Sequence, residues 1–135
     1  MPPGGVEPHN HLMARPRVLL CDDISSLRLL LRLELDLAEI EVIAEAENGR
    51  EAIEMAEAHQ PDVIVLDVQM PIMGGLDALP EIRRVSPESR VIVLSSMDGS
   101  EVSPRAIELG ASAYFDKETS PGTIAQAILD NEADS

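Results

Sequence analysis

Asp22-Asp23, Asp67, Ser95-Ser96 and Lys117 supply three carboxylates, two hydroxyls and an ammonium, each at or just beyond the end of a short apolar run. Singly they say little, because acids often open loops, serines often cap helices and lysines beside strands are usually solvated. Gathered in one crevice they would do specific chemistry. Two carboxylates about 5 Å apart repel by roughly 3 kcal/mol at an effective dielectric of 20, so three together require a cation. An all-oxygen ligand set, with a neighbouring backbone carbonyl, suits Mg²⁺, a hard ion that commonly meets phosphate; Mn²⁺ is the nearest substitute. A carboxylate left facing that ion is a nucleophile for a phosphoryl group and gives an aspartyl phosphate. Lys117 and the Ser95 hydroxyl then meet the phosphoryl oxygens of a loose transition state. The expected chemistry is phosphate acceptance.

Strands must bring these residues together. Arg17–Cys21, Val42–Ala46, Val63–Leu66, Val91–Leu94 and Ala113–Phe115 read as strands, and their unbroken apolar character suits parallel strands buried on both faces. Helices are expected between them. Ser25 or Ser26 is placed to cap a leucine-rich helix to about Leu37, and Asn48-Gly-Arg-Glu51 opens a second helix to about Ala58 like a capping box. Gly75–Val85 is a third, in which Pro80 is tolerable only near the first turn. Ser103-Pro104 and Ser120-Pro121 each put a cap before a proline at the first helical position. The pattern is (βα)5, an α/β doubly wound five-stranded parallel sheet of three layers, flavodoxin-like, in the order 2-1-3-4-5. Open α/β sheets build sites at the carboxyl ends of their strands, where all the residues named above fall.

The 135 residues make about one domain. Residues 1–15, rich in Pro and Gly, are expected to be a tail, 16–131 the folded unit, and 132–135 a short end. His9 and His11 lie in that tail and are not read as a metal site, and Met13 would serve as an internal start. Ten Lys and Arg stand against 25 Asp and Glu, a net charge of −15 that repels nucleic acid and anionic lipid. No apolar run reaches the ~18 residues of a membrane span. The single cysteine, Cys21, cannot form an internal disulfide, which fits a reducing cytoplasm. It reads as a small buried hydrophobe, and His59 as a solvated helix end.

VLLCDD (18–23), AENG-REA (46–52), PDVIVLDVQMPIMGG (61–75), VIVLSS (91–96) and GASAYFDK (110–117) resemble the motifs of response regulator receiver domains, the CheY-like family of two-component phosphorelays, from Arg17 to about Asn131. The resemblance implies Asp67 as phosphoacceptor and Asp23 as a direct Mg²⁺ ligand. Asp22 would act on the metal through water, and the Gln69 backbone carbonyl would complete the set. It further implies Ser95 as switch hydroxyl, Tyr114 as switch aromatic and Lys117 as the phosphoryl-contacting lysine. The donor would be a histidine kinase or phosphotransfer protein and the output an unidentified protein target, with a phosphorylation-dependent dimer also in the family's range. The chain would be no enzyme beyond its own phosphorylation and dephosphorylation.

Two positions depart from the pattern. Gly74 stands where Asp or Asn is common, which leaves the loop after Met73 freer, and Glu118 replaces a frequent proline, so a cis bond is not assumed there. Gln69 and Met97 are expected to bear on how fast water attacks the phosphoryl group. In the first helix, Leu27, Leu30, Leu31 and Leu35 are expected to face the core. Leu29 and Leu33 would then stay partly exposed, an apolar strip on which a kinase's helical bundle docks.

Other classes fit less well. A phosphatase with an aspartate nucleophile generally has a second carboxylate two residues on, where this chain has Gln69. A flavin binder needs a Ser/Thr/Gly phosphate loop and stacking aromatics, and the first turn here is acidic. The chain stops about four residues after its last expected helix, so no effector domain is expected in it. KETSP–IAQAI also resembles receivers that precede helix-turn-helix DNA-binding domains, so a receiver fragment of a larger transcriptional regulator is the alternative.

Overall fold

The computed structural model describes residues 15–96 and 99–134; the histidine tail and Met97 lie outside them. Strands β1 (Arg17–Cys21), β2 (Glu41–Ala46), β3 (Val63–Asp67), β4 (Arg90–Ser95) and β5 (Ala113–Asp116) alternate with helices α1 (Ser25–Leu37), α2 (Gly49–His59), α3 (Gly75–Val85), α4 (Gly99–Glu108) and α5 (Pro121–Asp134). All strand pairs are parallel and the sheet order is β2-β1-β3-β4-β5. The expected (βα)5 topology is the observed one.

Strand alternation sorts the core into two layers. Leu19, Cys21, Ile64, Leu66, Val91 and Val93 pack with Ala52, Ala56, Ala78, Leu79, Ile82 and Ala106 on one face. Val18, Leu20, Val63, Val65, Ile92 and Leu94 meet Leu31, Leu35, Ile124 and Ile128 on the other. Each fully buried Val, Leu or Ile among them stabilises the fold by about 1.5–3 kcal/mol before entropy is counted. The central strands are buried apart from the half-buried first residues of β1 and β4, Arg17 and Arg90, while the edge strands β2 and β5 are mostly half-buried.

Helix starts follow local chemistry, with two corrections. Asn48 Oδ1 accepts the Glu51 N–H at 2.9 Å, and Ser120 Oγ accepts that of Thr123 at 3.2 Å, as expected of caps. Neither Ser25 nor Ser26 caps α1: the cap position is Ile24, whose own N–H is taken by Asp22 Oδ1 at 2.9 Å. The helix has no side-chain cap, and Asp22 holds only the N–H of the cap residue itself. Ser103 does not open α4 either, since that helix starts at Gly99 and carries Pro104 in its interior. Pro at the first turn is a preference, and a proline deeper in a helix costs one hydrogen bond without forbidding it. Pro80 is likewise the sixth residue of α3, past the first turn, and it is exposed.

The leucines of α1 divide unevenly. Leu31 and Leu35 are buried and Leu27 is half-buried, but Leu30, expected in the core, is exposed. Leu29 and Leu33 are exposed as expected, and Leu37 is exposed as well. No helix among the described residues is long and apolar enough to cross a membrane.

Candidate functional site

Three neighbouring strands end in the same crevice. β1 ends at Cys21, and the next residue, Asp22, is buried, its backbone N–H held by the Ala46 carbonyl at 3.0 Å. Asp67 is the last residue of β3 and Ser95 the last of β4, each one residue further along its strand than expected, and both are buried. Lys117 follows β5, and its backbone N–H donates to the Ser95 carbonyl at 3.0 Å, which fixes the root of its side chain.

The charged groups converge. Lys117 Nζ lies 3.1 Å from Asp67 Oδ2, to which it donates, and 3.1 Å from Asp22 Oδ2. Asp67 Oδ1 accepts the Gln69 N–H at 3.3 Å. Asp22, Asp23 and Asp67 each offer a carboxylate oxygen within 4.8 Å of the others, with Asp23 the exposed member. Three carboxylates around one ammonium leave the cluster short of two positive charges.

Burial and the Asp22 charge hold the Asp67 carboxyl above its ordinary range, against the lowering pull of Lys117. Burial also works against the charged form of Lys117, yet the hydrogen bonds and charges of Asp22 and Asp67 hold it above the usual lysine range. Asp22 Oδ2 is buried and, among the described residues, has only the Lys117 ammonium at 3.1 Å as a polar partner. A buried carboxylate oxygen with a single polar partner has acceptor capacity left to fill. That oxygen and the hard-oxygen donor set fit a divalent cation such as Mg²⁺.

The loop after Asp67 is built around close approaches. A Cβ on Gly75 would fall 2.1 Å from the Asp67 carbonyl oxygen, so only glycine lets α3 start against the end of β3. Gly74 does not loosen the loop as expected: its own Cβ would stand 2.9 Å from the Val68 carbonyl, another tight approach. Ser96 Oγ donates to Gln69 Oε1 at 2.8 Å, joining this loop to the one after β4. Tyr114 is half-buried on β5 and pairs with Val93. Ser95, two residues beyond Val93, points to the same face of the sheet as Tyr114.

Arg28 was not legible as part of the site. It donates to the Asp22 carbonyl and to Glu45 Oε1 at 2.7 Å, bracing the acidic turn from α1. In sequence it is one arginine among helix surface residues. Cys21 is buried, and burial beside Asp22 pushes its thiol far up, so it is an inert core residue. The Lys117–Glu118 peptide is trans.

The family model for the response regulator receiver domain matches residues 18–129. The chemotaxis protein CheY of Thermotoga maritima is 37% identical over 112 residues, covering 83% of this chain and 93% of that one. A protein-glutamate methylesterase/protein-glutamine glutaminase of Paramagnetospirillum magneticum is 38% identical over 115 residues, but the match spans 30% of that protein. Among solved structures, the signal receiver domain of the putative response regulator NarL from Mycobacterium tuberculosis superposes with TM-score 0.83 at 30% identity, covering 90% of this chain and 98% of that one. The sheet order, the acid-lined crevice and these matches agree along the whole folded unit, and the chain belongs to the response regulator receiver domain family.

Proposed function

We propose that this chain is the phosphoacceptor of a two-component relay, taking a phosphoryl group on Asp67 from a histidine kinase or phosphotransfer protein and switching a protein-binding surface in response. The carrying observation is the buried Asp67 carboxylate, 3.1 Å from Lys117 and ringed by Asp22 and Asp23 oxygens within 4.8 Å. Mg²⁺ or Mn²⁺, held by Asp23, Asp67 and the Gln69 carbonyl with Asp22 acting through water, would supply the missing positive charge.

In the transfer a carboxylate oxygen of Asp67 forms the new O–P bond as the bond between phosphorus and the donor breaks. Lys117 then pairs with the phosphoryl oxygens rather than with the carboxylate alone. The added negative charge draws the Ser95 hydroxyl toward it and vacates space for Tyr114, so the surface near β5 reads the phosphate. Only differential contacts of this kind shift such an equilibrium. The folded unit would be residues 16–131, working in the cytoplasm without direct contact to nucleic acid or membrane, and acting on no substrate but its own phosphate.

Intact-mass measurement after mixing with acetyl phosphate and Mg²⁺ tests this. The wild-type chain gains one labile phosphate and Asp67→Asn gains none. A labile phosphate on the Asn variant, together with none on Asp22→Asn, would overturn the assignment.

A further inference from the structure

Of the three acids in the crevice, Asp23 is the one whose aim is not set by its own contacts. Asp22 is fixed at both carboxylate oxygens, Oδ1 by the Ile24 N–H at 2.9 Å and Oδ2 by Lys117 at 3.1 Å. Asp67 is held by Lys117 and by the Gln69 N–H. The Asp23 side chain is exposed and, among the described residues, has no hydrogen bond or ion pair. It nevertheless puts an oxygen within 4.8 Å of the other two carboxylates. The backbone that carries it must supply that aim.

That backbone is held from α1. The planar peptide joining Asp22 to Asp23 presents its oxygen to Arg28 Nη1. The preceding peptide is fixed by the bond from the Asp22 N–H to the Ala46 carbonyl at 3.0 Å. With both planes held, the Asp23 Cα has one place to sit. Arg28 in turn hangs from the sheet. Its Nε donates to Glu45 Oε1 at 2.7 Å, while Arg32 grips Glu45 Oε2 from the other side at 2.6 Å. Glu45 lies on β2 opposite Leu20 of β1, two residues before Asp22. The Arg28 side chain is only 11% exposed. A braced carboxylate at one prong and a carbonyl at another suit the rigid fork of a guanidinium, which a lysine ammonium, a point charge, cannot reproduce.

Position and charge have opposite consequences for a divalent ion. A cation near the site repels Mg²⁺, so charge alone would make Arg28 weaken its binding. That charge is already met by Glu45 and by Glu47 at 3.8 Å. We infer that Arg28 is a positioning residue, which aims Asp23 at the cation through the Asp22–Asp23 peptide and so raises Mg²⁺ affinity. That role presupposes the cation proposed above for Asp22, Asp23 and Asp67.

Mg²⁺ titrations followed by amide shifts, without any phosphodonor, test it on wild type, Arg28→Lys and Arg28→Gln. Metal-free spectra establish that each variant is folded. Both should bind Mg²⁺ about tenfold more weakly, the loss expected when a residue orienting a metal ligand is removed. If Arg28→Gln does not fold, Arg28→Lys, which keeps the charge and most of the stem, carries the comparison. The deciding measurement is a double-mutant cycle with Asp23→Ala. In that background Arg28→Lys should change Mg²⁺ affinity by no more than about twofold, because the ligand it aims is gone. Wild-type affinity in Arg28→Lys overturns the inference, and so does tighter binding by Arg28→Gln, which would leave only a charge effect. An equal loss with and without Asp23 also overturns it, since Arg28 would then merely hold the fold. A wild-type chain that binds no Mg²⁺ would instead overturn the metal site itself, and the role of Arg28 with it.

Discussion

Lys117 Nζ stands 3.1 Å from Asp67 Oδ2, an ion pair between residues fifty positions apart that exists because β3 and β5 flank β4 in one parallel sheet. The same ammonium is 3.1 Å from Asp22, so it partly neutralises the pocket in which a divalent cation would sit.

Removing that ammonium should have opposite effects on metal and phosphate. Lys117→Ala takes a positive charge away from the cation's ligands, and like charges a few ångströms apart repel by kcal/mol amounts even at an effective dielectric near 20. Mg²⁺ should bind the variant several-fold more tightly. Phosphate uptake from acetyl phosphate should slow by about tenfold or more, because a charge-assisted contact to the phosphoryl oxygens is gone. Titration followed by amide shifts reads the first effect and intact mass the second. Weaker Mg²⁺ binding would show that Lys117 helps to assemble the acidic site rather than competing for it.

Asp67 makes the apo fold sensitive to pH. Its folded-state pKa is raised, first by burial and then by Asp22. Between the ordinary carboxylate range and the raised value the native state binds more protons than the unfolded chain. Stability attributable to this group therefore falls as pH rises through that window. Asp67→Asn should remove the slope and, at neutral pH without divalent metal, raise stability by about 1 kcal/mol. Urea melts at several pH values check it; a variant less stable than wild type at neutral pH would mean that the Lys117 pair outweighs burial.

The two leading acids should separate in a different way. Asp22 is buried, accepts the Ile24 N–H and faces Lys117, while Asp23 is exposed. Asp23→Ala should weaken Mg²⁺ binding more than Asp22→Ala, in keeping with a direct ligand against one acting through water. Asp22→Ala should be the one that destabilises the fold, by about 1–2 kcal/mol for the lost turn hydrogen bond to Ile24. Metal titrations and melts of both variants decide it, and the reverse order of metal affinities would exchange the two roles.

The strands and the acid–lysine cluster were legible because both depend on patterns that survive any packing detail. Runs such as VIVL cannot sit at a surface, and acids at the ends of parallel strands have one crevice to share. What was not legible depended on neighbours. Leu30 lies at the margin of the core-facing arc of α1, so its burial turns on whether α5 and the loop after β5 reach over it, and periodicity carries no record of that reach. The serine cap of α1 failed because the helix starts one residue earlier than a serine cap requires: Ile24 takes the cap position and both serines lie inside the first turn. Ser103-Pro104 misled because a cap-and-proline pair looks the same in the middle of a helix as at its start.

Ile72 offers a test of the loop that follows the acceptor. Its φ is +69°, the left-handed region, and its side chain is 77% exposed. An L-residue there gives up about 1–2 kcal/mol, and a β-branched one is among the least suited. The exposed side chain recovers little of that through burial. Glycine would relieve the strain at an entropic cost of about 0.5–1 kcal/mol, and asparagine tolerates the region better than isoleucine. Ile72→Gly and Ile72→Asn should each raise stability by up to about 1 kcal/mol in urea, with Asn doing at least as well because it adds less freedom to the unfolded chain. Two destabilised variants would show that the Ile72 side chain holds the loop by contacts worth more than the strain.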